Sequence, residues 1–385
     1  MPKIIIPSFA DDEHALIIAA ALDIKGVDCD IWYTTDYPSI QSQSFTISSE
    51  KACGFEISAE NHTVRLNDYG TIWWRRHSPP NFGPLIVPVE DEDFITRQGI
   101  AHHTTVMKFV SHYCRGSKIF IANDPVAANT SNSKFLQLTE ARSLGFALPD
   151  TLASNDASRV KAFIRSNAAN GKATIRKSYV PAVWIENGAS IANYTSLIKE
   201  SDLDYFEDTI PYADIYQAQI DRVAEIRVFI FGKTLFAVKI SPRNDNFPHA
   251  DWRRIADATG VYSEYELPGA VSEKCFRIIE SLGLVTASID LCLDNDGAFV
   301  FLELNESGQF LWLCDRLPDI PLIDAFSEFL CSQDKDYVWP RRRAELDLSS
   351  VESSDEYKRR KSECQVHLGA SILDVRYPKE ERSTT

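Results

Sequence analysis

The stretch IDLCLDNDGAFVFLELNESGQFLWL, Ile289 to Leu313, predicts two β-strands joined by a tight turn. Asp294 to Gly297 supplies the turn, because Asn, Asp and Gly tolerate the positive φ angles that short hairpins require. The second strand is apolar except for Glu303 and Asn305, which stand two residues apart. Polar side chains in a strand that otherwise suits a buried sheet need a separate explanation.

These polar residues fall together because alternate side chains of a strand point to opposite faces. Glu303 and Asn305 are expected on one face, together with Phe301. With the turn centred as above, Asp290 lies opposite Phe301 and diagonal to Glu303. Diagonal neighbours are about 7 to 8 Å apart, so two carboxylates can reach one cation. The pattern predicts an all-oxygen site for Mg²⁺. The open alternative is a hairpin end whose polar residues only meet water.

Length and charge narrow the functional classes. A chain of 385 residues, 44% of them hydrophobic, is long enough for two or three domains. A net charge of -15 disfavours nucleic acid and membranes as partners, because these require an excess of Lys and Arg. The start, MPKIIIPSFADDEH, lacks the basic region of a signal peptide. No window reaches the roughly 18 apolar residues of a membrane span, and the predicted location is cytoplasmic.

The order of predicted elements indicates an α/β protein with α+β lobes. The N-terminal part reads strand, helix, strand, and a further central strand and a long helix follow. Beyond it, strand-rich segments interleaved with single helices predict two lobes with a cleft between them. The last segment is rich in charge and serine, so a solvated helix or a loose tail is expected. The predicted domains are 1–122, 123–215 and 216–335, with a tail at 336–385.

Two lysines lie in apolar surroundings. Lys134 belongs to a helix predicted over 125–144, and Lys177 lies inside a predicted strand. Burying an ammonium group is unfavourable unless an anion meets it, so lysines that face a cleft favour phosphate binding. The alternative is that each lysine extends along apolar surface and keeps its charge in water.

The segment YQAQIDRVAEIRVFIFGKTLFAVKI, Tyr216 to Ile240, predicts a hairpin. Glu225 and Arg227 share one face of its first strand, and Lys239 lies on the return strand. Arg227 suits a bidentate clamp on a phosphate or an acyl phosphate, with Lys239 adding charge nearby. A salt bridge between Glu225 and a basic neighbour is the alternative. The uncharged run before the hairpin offers backbone N–H and C=O groups to an adenine edge.

Two other motifs need separate interpretations. Arg253 lies in DWRR after an irregular loop, and we expect it to clamp charge in the transition state; plain exposure to solvent is the alternative. The tripeptide GKT at 232–234 resembles the end of a Walker phosphate loop, but Arg227 stands where that loop requires glycine. A hairpin turn is therefore predicted there. The sequence has no GxGxxG motif, so a dinucleotide site has no support.

Five spaced motifs carry a resemblance to a known family. In chain order they are TIWWRRHSPP, ANDPVAANTSNSKFLQLTEARSLGFALPDTLASND, AEIRVFIFGKTLFAVKI, DWRR and IDLCLDNDGAFVFLELNESGQFLWL. Together they resemble the ATP-grasp ligases that mature graspetides, the microviridin-type ribosomal peptides, over roughly residues 1–332. The resemblance implies an ATP-grasp fold preceded by an N-terminal pre-ATP-grasp α/β domain, which Trp73 to Arg76 mark.

The resemblance also implies cofactors and residue roles. ATP and Mg²⁺ are expected, with the nucleotide phosphates meeting Lys134 and Lys177. Arg227 and Arg253 are expected to stabilise an acyl phosphate and the oxyanion formed from it. Glu225 belongs to an acid-x-Arg element in which the family usually has Asp. Two sets complete the implied site: Asp290, Glu303 and Asn305 for the metal ions, and Gln217, Ala218, Gln219, Ile220, Asp221 and Lys239 for the nucleotide.

The implied activity is that of an ATP-dependent carboxylate ligase. Such an enzyme phosphorylates Glu or Asp side chains of a ribosomal precursor peptide with a leader and a core. A Ser, Thr or Lys side chain then closes an ester or amide ring. Two alternatives stay open: a ligase that joins a free amino acid or small amine to a small carboxylate, and a nucleotide-binding regulator without turnover. The complete set of metal ligands argues against the regulator. The assembly is open, and a homodimer is one candidate.

Overall fold

Helices and strands group into an N-terminal domain, two sheet lobes and a C-terminal segment in this computed structural model. The structure describes residues 2–38, 40–49, 54–59, 62–77, 89–179, 183–186, 189–192, 195–198, 202–203, 209–242 and 260–371.

The N-terminal domain is built around a parallel sheet. Its elements are β1 (Ile4–Ser8), α1 (Glu13–Ile24), β2 (Cys29–Tyr33), β3 (Gln41–Thr46), β4 (Gly54–Ala59), β5 (His62–Arg65), β6 (Thr71–Trp73), α2 (Val89–Arg115) and β7 (Phe120–Ala122). The main sheet has the order β2-β1-β6-β7, and β1, α1 and β2 form the strand-helix-strand unit that the sequence predicts. Gly26 ends the helix with a φ of 71°, which a residue without a Cβ adopts without strain. The weakly periodic region after β2 forms a second, antiparallel sheet, β3-β4-β5.

The first lobe contains a four-stranded antiparallel sheet of order β12-β9-β13-β8. The elements of this region are α3 (Pro125–Ser131), α4 (Lys134–Ser143), β8 (Thr151–Asp156), α5 (Ala157–Ala169), β9 (Thr174–Lys177), β10 (Val183–Glu186), β11 (Ala189–Ala192), β12 (Ser196–Ile198) and β13 (Thr209–Ala218). The single helix predicted over 125–144 is wrong, because Ser133 begins a second helix by accepting a hydrogen bond from the N–H of Leu136 at 3.4 Å. The boundary predicted between 215 and 216 falls inside β13, so the lobes divide after Ala218 instead.

The second lobe is a five-stranded antiparallel sheet flanked by helices. Its elements are β14 (Arg222–Phe231), β15 (Thr234–Pro242), β16 (Gly260–Glu264), α6 (Gly269–Ser281), β17 (Thr286–Asp294), β18 (Phe299–Asn305), α7 (Leu311–Cys314) and α8 (Leu322–Ser332). The strand order is β16-β15-β14-β17-β18. Gly232, with a φ of 60°, turns β14 into β15, so the GKT tripeptide is a hairpin turn, as predicted. A Cβ at Gly232 would lie 2.9 Å from the backbone N of Tyr337, which explains the glycine.

Both faces of this five-stranded sheet carry a core. Ile226, Val228 and Ile230 of β14 point into one core, which α6 covers. Phe229 and Phe231 alternate with them and point into the other core, which includes α1 and α8. This second face becomes polar toward the start of β14, and the candidate site lies there.

The C-terminal segment folds back onto the N-terminal domain. Its helices are α9 (Leu348–Ser353), α10 (Asp355–Glu363) and α11 (Gln365–Ser371). Trp339 and Val351 are buried in the core that contains α1, and a nitrogen of Arg360 lies 2.7 Å from Asp23 on α1. Of the two expected forms, a solvated helix or a loose tail, the described part is helical and largely exposed, but it is packed against α1 and is not a loose tail. The average composition of this segment does not reveal the few apolar residues and ion pairs that attach it to the N-terminal domain.

Two further features of the described residues concern membrane-spanning helices and the state of the cysteines. None of their helices is both long enough and apolar enough to cross a bilayer. All seven cysteines in the described ranges are free thiols, and six of them are buried. Burial raises the pKa of these thiols, for example to about 12 at Cys275. Such cysteines behave as small core residues rather than as nucleophiles.

Candidate active site

The hairpin of β17 and β18 carries a β-bulge that the sequence pattern does not reveal. Leu291 pairs with Phe301, but Asp290 pairs with Glu303, so Leu302 is an extra residue. The extra residue turns Phe301 into the core and leaves Glu303 on the open face. The predicted position of Asp290, opposite Phe301 and diagonal to Glu303, is therefore wrong, and so is the shared face of Phe301 and Glu303. The bulge makes the two carboxylates direct cross-strand neighbours.

Each of these carboxylates has a cationic partner. Lys134 Nζ lies 2.9 Å from Glu303 Oε2, and Arg227 on β14 forms an ion pair with Asp290, its cross-strand neighbour. Burial alone would raise the pKa of Glu303, but the charges of Lys177 and Lys134 outweigh it and lower this pKa to about 2. Glu303 is therefore an anion at neutral pH, held among cations.

Asn305 completes the oxygen-bearing side of the hairpin. It pairs with Ser288 at the end of β18 and lines the same cavity as Asp290 and Glu303. Among the residues that the structure describes, no group of three or more His, Cys, Asp or Glu side chains is arranged to hold a metal ion. Two carboxylates and one amide oxygen on a rigid face nevertheless fit Mg²⁺, which keeps waters and takes further ligands from substrate phosphates. Binding there requires Lys134 and Arg227 to release their carboxylate partners.

A cavity of 460 Å³ lies between the two sheet lobes. The hairpin residues form one wall, and Lys177, half-buried at the end of β9, lines the other. Its charge acts on Glu303 across the cavity. Where β13 leads into β14, the wall consists of Gln217, Ala218, Gln219 and Ile220. The structure thus brings Lys177 and four of the predicted nucleotide residues to the same cavity, whereas Lys134 is not part of the cavity wall and contacts it through Glu303.

Hydrogen bonds fix this link between the lobes. Gln217 Nε2 donates to Thr151 Oγ1 at 3.0 Å. The backbone N–H groups of Ala218 and Gln219 donate to carbonyls of the first lobe at 2.9 and 2.8 Å. Asp221, which follows, is exposed and lies outside the cavity wall. This uncharged link lines the cavity where a nucleotide base can lie, while the predicted contact of Asp221 is not supported by its position.

Lys239 lies on the other face of the sheet. It pairs with Ile226, whose side chain is in the core under α6, whereas Arg227 pairs with Val238. Directly paired residues share a face, so Lys239 points away from Glu225 and Arg227 and does not line the cavity. The prediction that Lys239 adds charge beside Arg227 is therefore wrong. The two-residue turn between the strands sets the register that separates them.

Glu225 and Arg227 do share the cavity face of β14, as predicted. Arg222 Nε lies 3.0 Å from Glu225 Oε1, so the alternative of a salt bridge to a basic neighbour is also present. This neighbour lies on the same strand, next to a register shift between Arg222 and Ala224. Arg253 is outside the described residues, and its role stays a prediction.

The N-terminal domain holds the loop that follows β18. Arg75 donates to the carbonyl of Ser307 at 2.5 Å. His14 Nε2 accepts hydrogen bonds from the N–H groups of Phe310 and Leu311 at 2.9 and 3.1 Å. An accepting Nε2 is unprotonated, and burial, followed by the nearby charge of Arg75, lowers the pKa of His14 to about 3. The loop is therefore anchored by a neutral histidine and a buried arginine.

Solved structures with the same arrangement of elements assign the fold. An ATP-grasp ligase associated with RiPPs from Chryseobacterium gregarium, in complex with ADP and a leader and core peptide, has a TM-score of 0.74 and 20% identity, covering 90% of this chain and 100% of its own. Macrocyclase MdnC from Microcystis aeruginosa MRC, bound with precursor peptide MdnA, has a TM-score of 0.73 and 22% identity, covering 86% and 100%. The ATP-grasp ligase PsnB, complexed with a phosphomimetic variant of its minimal precursor, Mg and ADP, has a TM-score of 0.64 and 19% identity, covering 86% and 99%. The chain has the ATP-grasp fold. Neither a protein-family model nor a curated protein matches it.

The ATP-grasp fold accounts for the position of the cavity. Its two lobes are antiparallel sheets, and the cavity lies between them and at the link that joins them. The predicted fold class, α/β with α+β lobes and an α/β domain in front, is confirmed. At these identities the likeness concerns the fold, so each residue's part in the site has to be argued from this chain's own contacts.

Several residues of the ATP-grasp cavity were missed by sequence reasoning. Arg76 enters from the N-terminal domain, and Arg222, Cys292 and Trp312 line the wall together with the loop 306–309. Arg76 stands in the WWRR motif, which served only to mark the domain. A doubled arginine after a buried strand is a usable signal, because at least one of the pair must meet an anion. For the others no local signal exists, since tertiary contacts alone bring them to the cavity.

Proposed function

We propose that this protein is an ATP-dependent carboxylate ligase that closes crosslinks between side chains of a ribosomal precursor peptide. One observation carries the proposal: Asp290, Glu303 and Asn305 line one cavity between two sheets together with Lys177, and Lys134 forms an ion pair with Glu303. Structures of the same fold support the substrate class, since the Chryseobacterium ligase holds ADP with a leader and core peptide, and PsnB holds Mg and ADP with a precursor variant.

In this proposal ATP lies along the cavity with its base at the link formed by residues 217–220. Lys134 and Lys177 bind phosphate oxygens, which replace Glu303 as the partner of Lys134. The hairpin ligands, Asp290, Glu303 and Asn305, hold Mg²⁺. When bound, Mg²⁺ supplies positive charge that neutralises the phosphates and favours transfer of the terminal phosphoryl group.

The first step joins a peptide carboxylate to phosphate. A carboxylate oxygen of a Glu or Asp side chain bonds to the terminal phosphorus. The bond from that phosphorus to its bridging oxygen breaks, and ADP leaves with the electron pair. Arg227 lies on the cavity face beside Asp290, where it stabilises the negative charge of the transferred group. Glu225, two residues away on the same face, orients Arg222 through their ion pair.

The second step closes the ring. The oxygen of a Ser or Thr hydroxyl, or the nitrogen of a Lys amine, attacks the acyl carbon. Inorganic phosphate leaves with its electron pair, and the attacking group gives up a proton. Ester and amide both suit this chemistry, because either nucleophile attacks the same acyl phosphate. The alternative substrate, a free amino acid or small amine with a small carboxylate, uses the same ATP site, and no observation on this chain favours it.

The test uses the short Thr- and Glu/Asp-rich peptide expected to be encoded beside the gene. We expect its mass to fall by one water per bond formed when it is incubated with the protein, ATP and Mg²⁺. Reactions without ATP, and reactions with Glu303→Gln, serve as controls and leave the mass unchanged. An unchanged mass with intact ATP in the complete reaction would overturn the proposal. A mass gain in the presence of added amino acids would favour the small-molecule ligase. Cytoplasmic location and a homodimer stay predictions.

A further inference from the structure

Arg76 enters the cavity from outside both ATP-grasp lobes. It follows β6 of the N-terminal domain, and its backbone N–H donates to the carbonyl of Pro7 at 3.0 Å. Its guanidinium lies 5.4 Å from the ring centroid of Phe9, and the side chain is half-buried. The backbone bond and the ring stacking together hold the charged group at the cavity wall.

The neighbouring Arg75 attaches the segment after β6 to the loop after β18. Its guanidinium is enclosed, pairs with Asp12 at 3.1 Å and donates to the carbonyl of Ser307. Ser307 Oγ in turn donates to the carbonyl of Arg75 at 3.4 Å. The segment after β6 and the loop after β18 are therefore locked together. Arg76 is held at the end of the cavity where β18 ends.

Two arginines of the cavity wall each form an ion pair with a carboxylate of the same wall. Arg222 pairs with Glu225, and Arg227 pairs with Asp290. Arg76 also lines the wall, yet no carboxylate forms an ion pair with it in the described ranges. A guanidinium that is partly removed from water and forms no ion pair is suited to bind an anion from a ligand.

The strands place this unpaired arginine at a definite distance from the link between the lobes. Along the sheet, Glu225 lies nearest the link, Arg227 comes next, and Asn305 lies one step further. Each step of two residues advances by about 6.6 Å. Loop 306–309 and Arg76 lie beyond Asn305. A nucleotide whose base lies at the link points its terminal phosphate toward Arg76, and the group that receives this phosphate lies between them.

We propose that Arg76 binds the peptide carboxylate that receives the phosphoryl group and then holds the acyl phosphate. The inference rests on the proposed function and names the residue that selects an acidic side chain as substrate. Two N–H groups of the guanidinium donate to the two carboxylate oxygens, as planar arginine groups do. One of these oxygens then bonds to the terminal phosphorus while ADP leaves, and the guanidinium stays on the other oxygen, which becomes the acyl oxygen. When the hydroxyl or amine attacks, the same contact stabilises the oxyanion until phosphate leaves.

The experiment separates acyl phosphate formation from ring closure. The peptide is synthesised with all Ser, Thr and Lys residues replaced by Ala and is incubated with ATP, Mg²⁺ and hydroxylamine, which converts an acyl phosphate into a hydroxamate. Arg76→Gln and Arg76→Lys are compared with the wild type. Arg142→Gln, an exposed arginine at the end of α4, is the matched control. Hydroxamate is measured by peptide mass at varied peptide and varied ATP.

We expect Arg76→Gln to lower kcat/KM for the peptide about 10- to 100-fold, which is the effect of losing a charged hydrogen-bond pair. KM for ATP and the thermal midpoint stay near the wild-type values. Arg76→Lys regains part of the loss, and Arg142→Gln has no effect. Equal hydroxamate formation by Arg76→Gln and the wild type overturns the role of Arg76 and leaves the proposed function intact. A parallel loss of ATP affinity and thermal stability also overturns it, because that result describes a structural residue. If the wild type forms neither hydroxamate nor rings, both proposals fail together.

Discussion

Two ion pairs of this protein are alike in chemistry and differ in access. Asp12 and Arg75 expose 4% and 0% of their side chains, whereas Glu303 and Lys134 each expose 22%. The enclosed pair is completed by protein groups, since Asp12 also accepts from Ser8 Oγ at 2.7 Å. In the open pair Glu303 lines a cavity and Lys134 is partly exposed, so a metal ion can replace Lys134 and a phosphate can replace Glu303. The enclosed pair therefore holds the fold, and the open pair is suited to ligand exchange.

This difference shows how to interpret the lowered pKa values of both acids. Burial raises the pKa of Asp12, but Arg75 and the hydrogen bond from Ser8 outweigh it. The pKa of Glu303 is lowered in the same way, by Lys177 and Lys134. A lowered pKa thus marks a carboxylate among cations and does not by itself identify a functional group. The two carboxylates differ in whether a ligand in the cavity can reach them: Glu303 lines the cavity, and Asp12 does not.

The largest expected effect on stability comes from breaking the enclosed pair. Asp12→Ala leaves the guanidinium of Arg75 buried without its anion, and we expect a loss of about 3 to 5 kcal/mol in the free energy of unfolding. Urea unfolding measures this loss. The control is Asp296→Ala in the exposed turn between β17 and β18, where a change below about 0.5 kcal/mol is expected. Similar urea midpoints for the two variants would show that the enclosed pair does not hold the fold.

Breaking the open pair should lower the activity strongly and the stability only a little. Glu303→Gln removes a charge that the proposed function requires for Mg²⁺, so ATP turnover with the precursor peptide should fall at least about 100-fold. Lys134 is partly exposed to water, so the free energy of unfolding should change less than in Asp12→Ala. Phosphate release measures turnover, and urea unfolding measures stability. Near-normal turnover would remove Glu303 from the site, and a loss of stability as large as that of Asp12→Ala would erase the distinction between the pairs.

The sequence contains the polar side of the hairpin but not its register. Alternation alone places Glu303 and Asn305 together, and both line the cavity. It also places Phe301 with them, because a β-bulge at Leu302 has no local signature in an apolar strand. For Lys239, in contrast, the sequence does contain the register. Its face follows from the two-residue turn before it, and counting the pairs outward from Gly232 predicts the pairing with Ile226.

Long-range contacts set the limit of what the sequence can predict here. The order of helices and strands predicts the lobes and the N-terminal α/β domain, since these depend on local patterns. Arg76 and the C-terminal segment depend on surfaces far away in the chain. Arg360, for example, lies in a run of charges that suggests a tail, yet it pairs with Asp23 and is almost fully enclosed. A run of charged residues predicts exposure to solvent only when no oppositely charged surface of the folded protein contacts it.

His14 allows the enclosed region to be tested by pH. Its folded pKa of about 3 lies below the ordinary value of 6.5, because burial and then the charge of Arg75 oppose protonation. Its stabilising effect is therefore complete above about pH 6.5 and is lost as the pH falls, since only the unfolded chain then takes up the proton. His14→Gln keeps an acceptor for the N–H groups of Phe310 and Leu311 but does not titrate.

We expect the free energy of unfolding of the wild type to fall by up to about 1.4 kcal/mol more per pH unit than that of His14→Gln, from about pH 6 down to about pH 4. Urea unfolding at several pH values measures both slopes. Asp12 titrates in the same direction in both proteins, so the difference between the slopes belongs to His14. Parallel slopes would mean that His14 takes up its proton over the same pH range in the folded and the unfolded chain, and that the two hydrogen bonds do not oppose its protonation.

The smallest effect is expected where an ion pair is open to water and has no ligand to bind. Lys361 Nζ on α10 lies 2.5 Å from Glu13 Oε2 on α1, and both side chains are more than one third exposed. Glu13→Gln should therefore cost only about 0.2 to 1 kcal/mol, and high salt should abolish the difference. A double-mutant cycle with Lys361→Met isolates the pair from the hydrogen bond that Tyr357 donates to Glu13. A coupling energy as large as the effect of Asp12→Ala would show that the C-terminal segment is held by charge, whereas a small one assigns its attachment to Trp339, Val351 and the other buried apolar contacts.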